Sequence, residues 1–72
     1  MNKPLLESKM KLKQDNQSDL ANYLGISLSR LNAKINEKDG AEFNQGEITE
    51  IKRRYDLTPE EVDQIFFNAD VS

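Results

Sequence analysis

Apolar residues along this chain recur at helical spacing between short polar segments, and no long stretch alternates with the period of two that a strand shows. Pro4 fits the first turn of a helix over roughly 4–13, because a proline is tolerated where no backbone N–H is needed. The face that this helix offers to the core is predicted to consist of Leu5, Leu6, Met10 and Leu12. The pattern is typical of an all-α chain.

Capping residues mark the later helix starts. Asn16 and Ser27 are suited to cap a second and a third helix, and Gly25 between them fits the left-handed conformation that ends a helix. Capping boxes, in which Glu follows the cap by three residues, begin a fourth helix after Asn44 and a fifth after Thr58. The sequence therefore predicts one all-α domain of five helices over 1–72, with the last two helices over about 45–55 and 59–67 and a frayed tail at 68–72.

The composition limits the chemistry that the chain can perform. It has 72 residues, no His and no Cys, which excludes an ordinary zinc site, an imidazole base and a thiol nucleophile. The three glycines are too scattered to form a phosphate-binding loop. We therefore expect no enzyme activity, no metal or cofactor, and no small-molecule ligand.

The chain also lacks the signals of membrane proteins and secreted proteins. No apolar run approaches the roughly 20 residues that span a bilayer. The start, MNKPLLESKMKLK, has charges that interrupt its apolar residues, so it does not resemble a signal peptide. We expect no membrane partner and a location in the cytoplasm.

The net charge of −3 is unevenly distributed along the sequence. Residues 1–13 carry four Lys and one Glu, whereas residues 57–72 carry four acids and no base. A dedicated DNA-binding protein normally has a basic face, because phosphate neutralisation supplies much of its affinity. The charge of the whole chain therefore argues against a dedicated DNA-binding protein.

Residues 17–36 nevertheless have the spacing of a helix-turn-helix. Such a unit needs a small residue on its first helix, a residue that tolerates positive φ at the turn, and apolar anchors after the turn. This pattern is met by Gln17, Ala21, Gly25, Ile26 and Leu31. On these residues the chain resembles the lambda-repressor-like family, which includes phage repressors and Cro proteins. The resemblance implies a compact five-helix fold over nearly the whole chain.

The longer stretch LGISLSRLNAKINEKDGAEFNQGEITEIKRRYDLTPEEVDQIFF is similar to small lytic-switch regulators of temperate phages of Gram-positive bacteria. In that group the regulator is either a Cro-type DNA binder or an antirepressor, the modulator of repression, which binds the phage repressor. The length and start of this chain resemble the modulator type. The resemblance implies a protein of the bacterial host cytoplasm whose partner is the DNA-binding domain of the phage repressor.

One position departs from the family pattern. Lys34 lies where many members bury an apolar residue, and Ile35 is predicted to take over that anchor.

The antirepressor interpretation predicts an interface of apolar anchors and acids, because the DNA face of a repressor is basic. Leu28 begins the third helix, where an exposed leucine suits contact with protein. Phe66 and Phe67 are adjacent, so a narrow helical stripe cannot bury both. The predicted partner-binding residues are Leu28, Asn32, Glu37, Asp39, Glu42, Phe66 and Phe67.

The alternative is a Cro-like repressor that binds operator DNA directly. In the resembled family, bases are read from the start and the exposed face of the second motif helix. Carried over to this chain, the predicted DNA-binding residues are Gln17, Ser27, Ser29, Arg30 and Asn32. Small polar residues also simply solvate a helix surface, and the sequence does not decide between these interpretations.

The remaining charged groups have simpler interpretations. Glu47 is predicted to stabilise the N-terminus of the fourth helix through the helix dipole. The run Lys52-Arg53-Arg54 is predicted to form the exposed C-terminal end of that helix. The lysines at positions 3, 9, 11 and 13 are predicted to form a solvated face.

Overall fold

Five α-helices follow one another along residues 1–67, the part of the chain that the computed structural model describes. They are α1 (Lys3–Leu12), α2 (Gln17–Leu24), α3 (Leu28–Ile35), α4 (Gln45–Arg54) and α5 (Pro59–Phe66), with a 3-10 turn at Lys38–Gly40 before α4. The radius of gyration is 11.3 Å, close to the roughly 11 Å of a compact globule of this length. The predicted all-α class is confirmed. The predicted fraying of 68–72 lies outside the described residues.

The predicted caps are present at the starts of α2 to α5. In each case the capping side chain accepts a hydrogen bond from the backbone N–H three residues later, at 2.8–3.1 Å. The two predicted capping boxes are formed, and α2 has a third, since Asp19 accepts the backbone N–H of Asn16 at 3.1 Å. Gly25 ends α2 with φ 74°, as predicted. The starts of α2 to α5 and the end of α2 are thus fixed by interactions within four residues.

All five helices contribute side chains to one hydrophobic core. Leu6, Leu20, Leu31, Ile35, Ile51 and Ile65 are its largest fully buried side chains. The prediction for α1 is wrong at Leu12, which is 76 % exposed. Leu12 is the last residue of α1, and Met10 (4 % exposed) is the last residue of this helix within the core.

Asp15 connects the segment between α1 and α2 to the end of α4. Its carboxylate accepts two hydrogen bonds from the Arg54 guanidinium, at 2.6 and 2.9 Å, and one from the Tyr55 hydroxyl at 2.7 Å. The guanidinium also lies over the Tyr23 ring, 4.6 Å from its centroid. The prediction that the C-terminal end of α4 is exposed is therefore wrong at Arg54. This residue is paired with Asp15, which lies 39 residues away in sequence.

Two of the four N-terminal lysines make defined contacts. Lys9 forms an ion pair with Glu61, which links α1 to α5, and Lys3 donates to the Asn36 side chain at 3.0 Å. Lys11 and Lys13 are exposed. The predicted solvated lysine face is therefore confirmed only at positions 11 and 13.

The helices are short. The longest, α1 and α4, have 10 residues each, and within residues 1–67 no helix combines the length and apolarity required to traverse a bilayer.

The close contact between α2 and α3 is predicted to depend on a small side chain. Ala21 is 3 % exposed, and the chain reverses into α3 immediately after Gly25. We expect Ala21→Leu to lower the free energy of unfolding by about 1–3 kcal/mol, because a larger side chain wedges the two helices apart. Urea denaturation measures this change. Asn22→Leu, which places leucine on the exposed side of the same helix, is the control, and equal stability of the two variants would refute close packing at Ala21.

Candidate partner-binding surface

The first turn of α3 exposes a leucine. The Ser27 hydroxyl accepts the backbone N–H of Arg30 at 3.1 Å, so Leu28 is the first helical residue. Leu28 shares a helical stripe with Leu31 and Ile35, which are at most 2 % exposed, yet its own exposure is 44 %. The prediction that Leu28 is exposed is confirmed.

The residues predicted to contact DNA lie around Leu28 with unequal exposure. Ser27, Ser29 and Arg30 are exposed, whereas Gln17 and Asn32 are half-buried. The backbone carbonyl of Asn32 accepts the Asn36 side-chain amide at 3.0 Å. The exposed surface of α3 is thus formed by Leu28, Ser29 and Arg30, with Asn32 and Ala33 partly exposed.

The lysine of α3 does not contribute a free cation to that surface. Lys34 is 8 % exposed, and its ammonium group donates to both carboxylate oxygens of Glu47, at 2.7 and 2.9 Å. Burial opposes the charge of Glu47, but the bonds from Lys34 and from the backbone N–H of Asn44 outweigh it and lower the pKa of this carboxyl. Ile35 is buried as predicted. Within α3, Arg30 is therefore the exposed cation.

A cavity of about 170 Å³ lies at the other end of α3. It brings together four of the predicted partner-binding residues, namely Glu37, Glu42, Phe66 and Phe67. The same cavity is lined by Met1, Lys34, Phe43 and Ile48. Asp39 is exposed in the 3-10 turn nearby, with φ 54°, and does not line the cavity.

Aromatic rings form much of the cavity wall. Phe43 and Phe66 meet edge to face, with centroids 5.6 Å apart and planes at 82°. Phe66 is half-buried, whereas Phe67 is 52 % exposed. The prediction that the adjacent phenylalanines cannot both be buried is confirmed, and Phe67 is the exposed one.

Comparison with known proteins identifies no relative of this chain. No protein-family model, curated protein or solved structure matches the chain. The functional assignment therefore depends on the chain's own residues and their arrangement.

The predicted residues form two centres, one at each end of α3. Leu28 begins α3, and Glu37 follows the residue that caps its end. With a rise of 1.5 Å per residue, the 8 residues of α3 separate these centres by roughly 12 Å along the helix axis. Sequence reasoning missed Phe43 as a wall of the cavity. Its place just before the Asn44 cap indicated an apolar contact at the start of the fourth helix but no role in binding.

Proposed function

We propose that this protein is a lambda-repressor-like, helix-turn-helix regulator of a phage lytic switch that acts as an antirepressor. In this proposal it binds the DNA-binding domain of the phage repressor and blocks operator binding. The observation that carries the proposal is the exposed leucine at the start of α3, Leu28, at 44 % exposure. An apolar side chain at that position suits a protein partner better than the polar edges of base pairs.

The charges of this surface support a protein partner. Lys34 is held by Glu47 in the α3–α4 contact. After α3, three acids, Glu37, Asp39 and Glu42, and one base, Lys38, are exposed. The phosphate backbone of DNA repels this net negative segment, whereas the basic DNA-binding face of a repressor attracts it. The same face of the repressor cannot hold operator DNA and this protein at once.

In this proposal the acidic residues and the apolar residues have different roles in binding. The acids guide the encounter through charge complementarity, which mainly raises the association rate. Leu28 and the exposed Phe67 then become buried anchors that supply most of the affinity. No covalent step is required for this mechanism, since occupation of the repressor's DNA-binding face is sufficient.

A binding measurement tests the proposal. The purified protein is titrated, by isothermal titration calorimetry, into the DNA-binding domain of the repressor encoded beside it. We expect a saturable complex of defined stoichiometry. The absence of heat in the titration, together with the absence of co-elution in size-exclusion chromatography, at concentrations of tens of micromolar would contradict the proposed function.

The alternative, a Cro-like operator-binding protein, retains one supporting observation, since Ser29 and Arg30 are exposed on α3. Because Arg30 is the exposed cation of that helix, we expect no operator complex in band shifts at low salt and micromolar protein. A complex with the phage's own switch region that weakens steeply with salt would instead show that phosphate contacts carry the binding. That result would favour the Cro-like function over the antirepressor function.

A further inference from the structure

The cavity at the end of α3 has the size and the apolar lining of a site for one side chain. Its volume of about 170 Å³ is comparable to the roughly 150 Å³ of an apolar cavity that holds a benzene molecule. Phe43, Phe66 and Phe67 supply aromatic surface, and Ile48 adds an aliphatic one. The cavity therefore offers apolar contact to a group of side-chain size that enters from solvent.

The charges around this cavity are paired with one exception. The α-amino group of Met1 lies 3.1 Å from the Glu37 carboxylate, and Lys34 neutralises Glu47. Within residues 1–67, no ion pair or hydrogen bond involves the carboxylate of Glu42, and residues 68–72 contain no Lys or Arg. The rim of the cavity therefore has one carboxylate without a counterion.

We propose that the cavity receives an arginine side chain of the bound repressor, whose planar guanidinium stacks on the phenylalanine rings and pairs with Glu42. Arginine fits both features because its planar, weakly hydrated head stacks on aromatic faces and bonds a carboxylate through two N–H groups. Lysine offers a more strongly hydrated point charge and no such stacking. This inference rests on the antirepressor function proposed above and names the group that the second centre recognises.

The first arm of the test compares charge-matched variants in the full chain. Glu42→Gln keeps the shape of the side chain and removes the charge, and we expect about tenfold weaker binding to the repressor's DNA-binding domain. Glu7→Gln is the control, because Glu7 is an exposed acid of α1 that does not line this cavity. Its effect at about 0.15 M salt should be small, because screening weakens distant charges.

The second arm uses a probe that does not depend on the repressor. N-acetyl-arginine methylamide is titrated into the labelled protein and followed by NMR, with N-acetyl-norleucine methylamide as the apolar comparison. We expect arginine to shift the resonances of Phe43, Phe66 and Glu42 at millimolar concentration. The norleucine probe should shift them less, and Glu42→Gln should remove the difference between the two probes.

The outcomes separate this proposal from the antirepressor function. Tight repressor binding by wild type, Glu42→Gln and Glu7→Gln alike would overturn the arginine site and leave the antirepressor function standing. Equal responses to the two probes would assign the cavity to an apolar side chain and overturn the proposal. Dimerisation in analytical ultracentrifugation that Glu42→Gln abolishes would assign the cavity to a second copy of this chain, with the same consequence. Absence of repressor binding by the wild type would instead contradict the antirepressor function itself.

Discussion

Leu28→Asp is expected to abolish binding to the repressor's DNA-binding domain while leaving the fold intact. The substitution removes an apolar anchor and places a carboxylate in the apolar centre of the interface, so the affinity should fall at least about 100-fold. The fold should survive because Leu28 is the first residue of α3 and largely exposed. An acid at a helix N-terminus is favourable in itself. Calorimetric titration measures the affinity, and circular dichroism measures the helix content.

The chain offers a matched control for this prediction. Leu12 is also an exposed leucine, at 76 %, but it ends α1 and lies outside the proposed interface. Leu12→Asp changes the net charge by the same amount and should bind the repressor nearly as well as wild type. Leu28→Ala, which adds no charge, should still lose about tenfold. Equal affinities of the Leu12 and Leu28 variants would show that Leu28 is not an anchor.

Asp15→Ala is expected to have the largest effect on stability. It leaves the Tyr55 hydroxyl, on a residue that is 5 % exposed, without its acceptor and Arg54 without its counterion. We expect a loss of about 2–4 kcal/mol, below the upper end for a fully buried pair because the Arg54 side chain remains 28 % exposed. A domain of this size has only about 4–11 kcal/mol in total, so thermal denaturation should show a much lower Tm. The control is Asp63→Ala, an exposed acid of α5.

The effect of Asp15→Ala should depend on pH in a defined direction. The hydrogen bond from Arg54 holds the pKa of Asp15 below its ordinary value of 3.8. A carboxylate with a lowered folded-state pKa contributes stability above the unfolded-state value and loses it as the pH falls through the folded-state value. The stability difference between wild type and Asp15→Ala should therefore be full at pH 7 and shrink below about pH 3.8. A difference that stays constant down to pH 2 would show that Asp15 does not act through its charge.

The helix boundaries were predictable because their determinants are local. Asn16, Ser27, Asn44 and Thr58 each cap the helix that follows, and each acts on a backbone N–H only three residues away. The capping box of α2 was missed because its third residue is Asp19 rather than Glu or Gln. A shorter acid makes the same return bond, so this signal was present in the sequence.

The contacts between distant helices were not predictable in the same way. A run of three cations at the end of α4 is typical of a solvated helix end, and no neighbouring residue in the sequence distinguishes Arg54 from Arg53. Only the fold brings Arg54 to Asp15 and leaves Arg53 68 % exposed beside Glu50. Leu12 shows the opposite error, since helical periodicity marked it as core although the core does not extend to the last residue of α1.

The candidate surface was predictable in composition but not in arrangement. The exposure of Leu28 followed from its position in the first turn of α3. The cavity could not be foreseen, because it depends on α5 bringing Phe66 and Phe67 next to Phe43 and Glu42. These groups come from separate parts of the chain, and their shared site exists only after the helices pack.

Release of operator DNA is the measurement that tests the antirepressor function most directly. A fluorescently labelled operator is saturated with the full-length repressor, and this protein is added while the anisotropy is followed. We expect the anisotropy to fall to the value of free operator as the protein reaches saturation, whereas Leu28→Asp leaves the signal unchanged. If the repressor remains on its operator at saturating amounts of the wild-type protein, or if a larger complex forms on the DNA, the antirepressor function is contradicted.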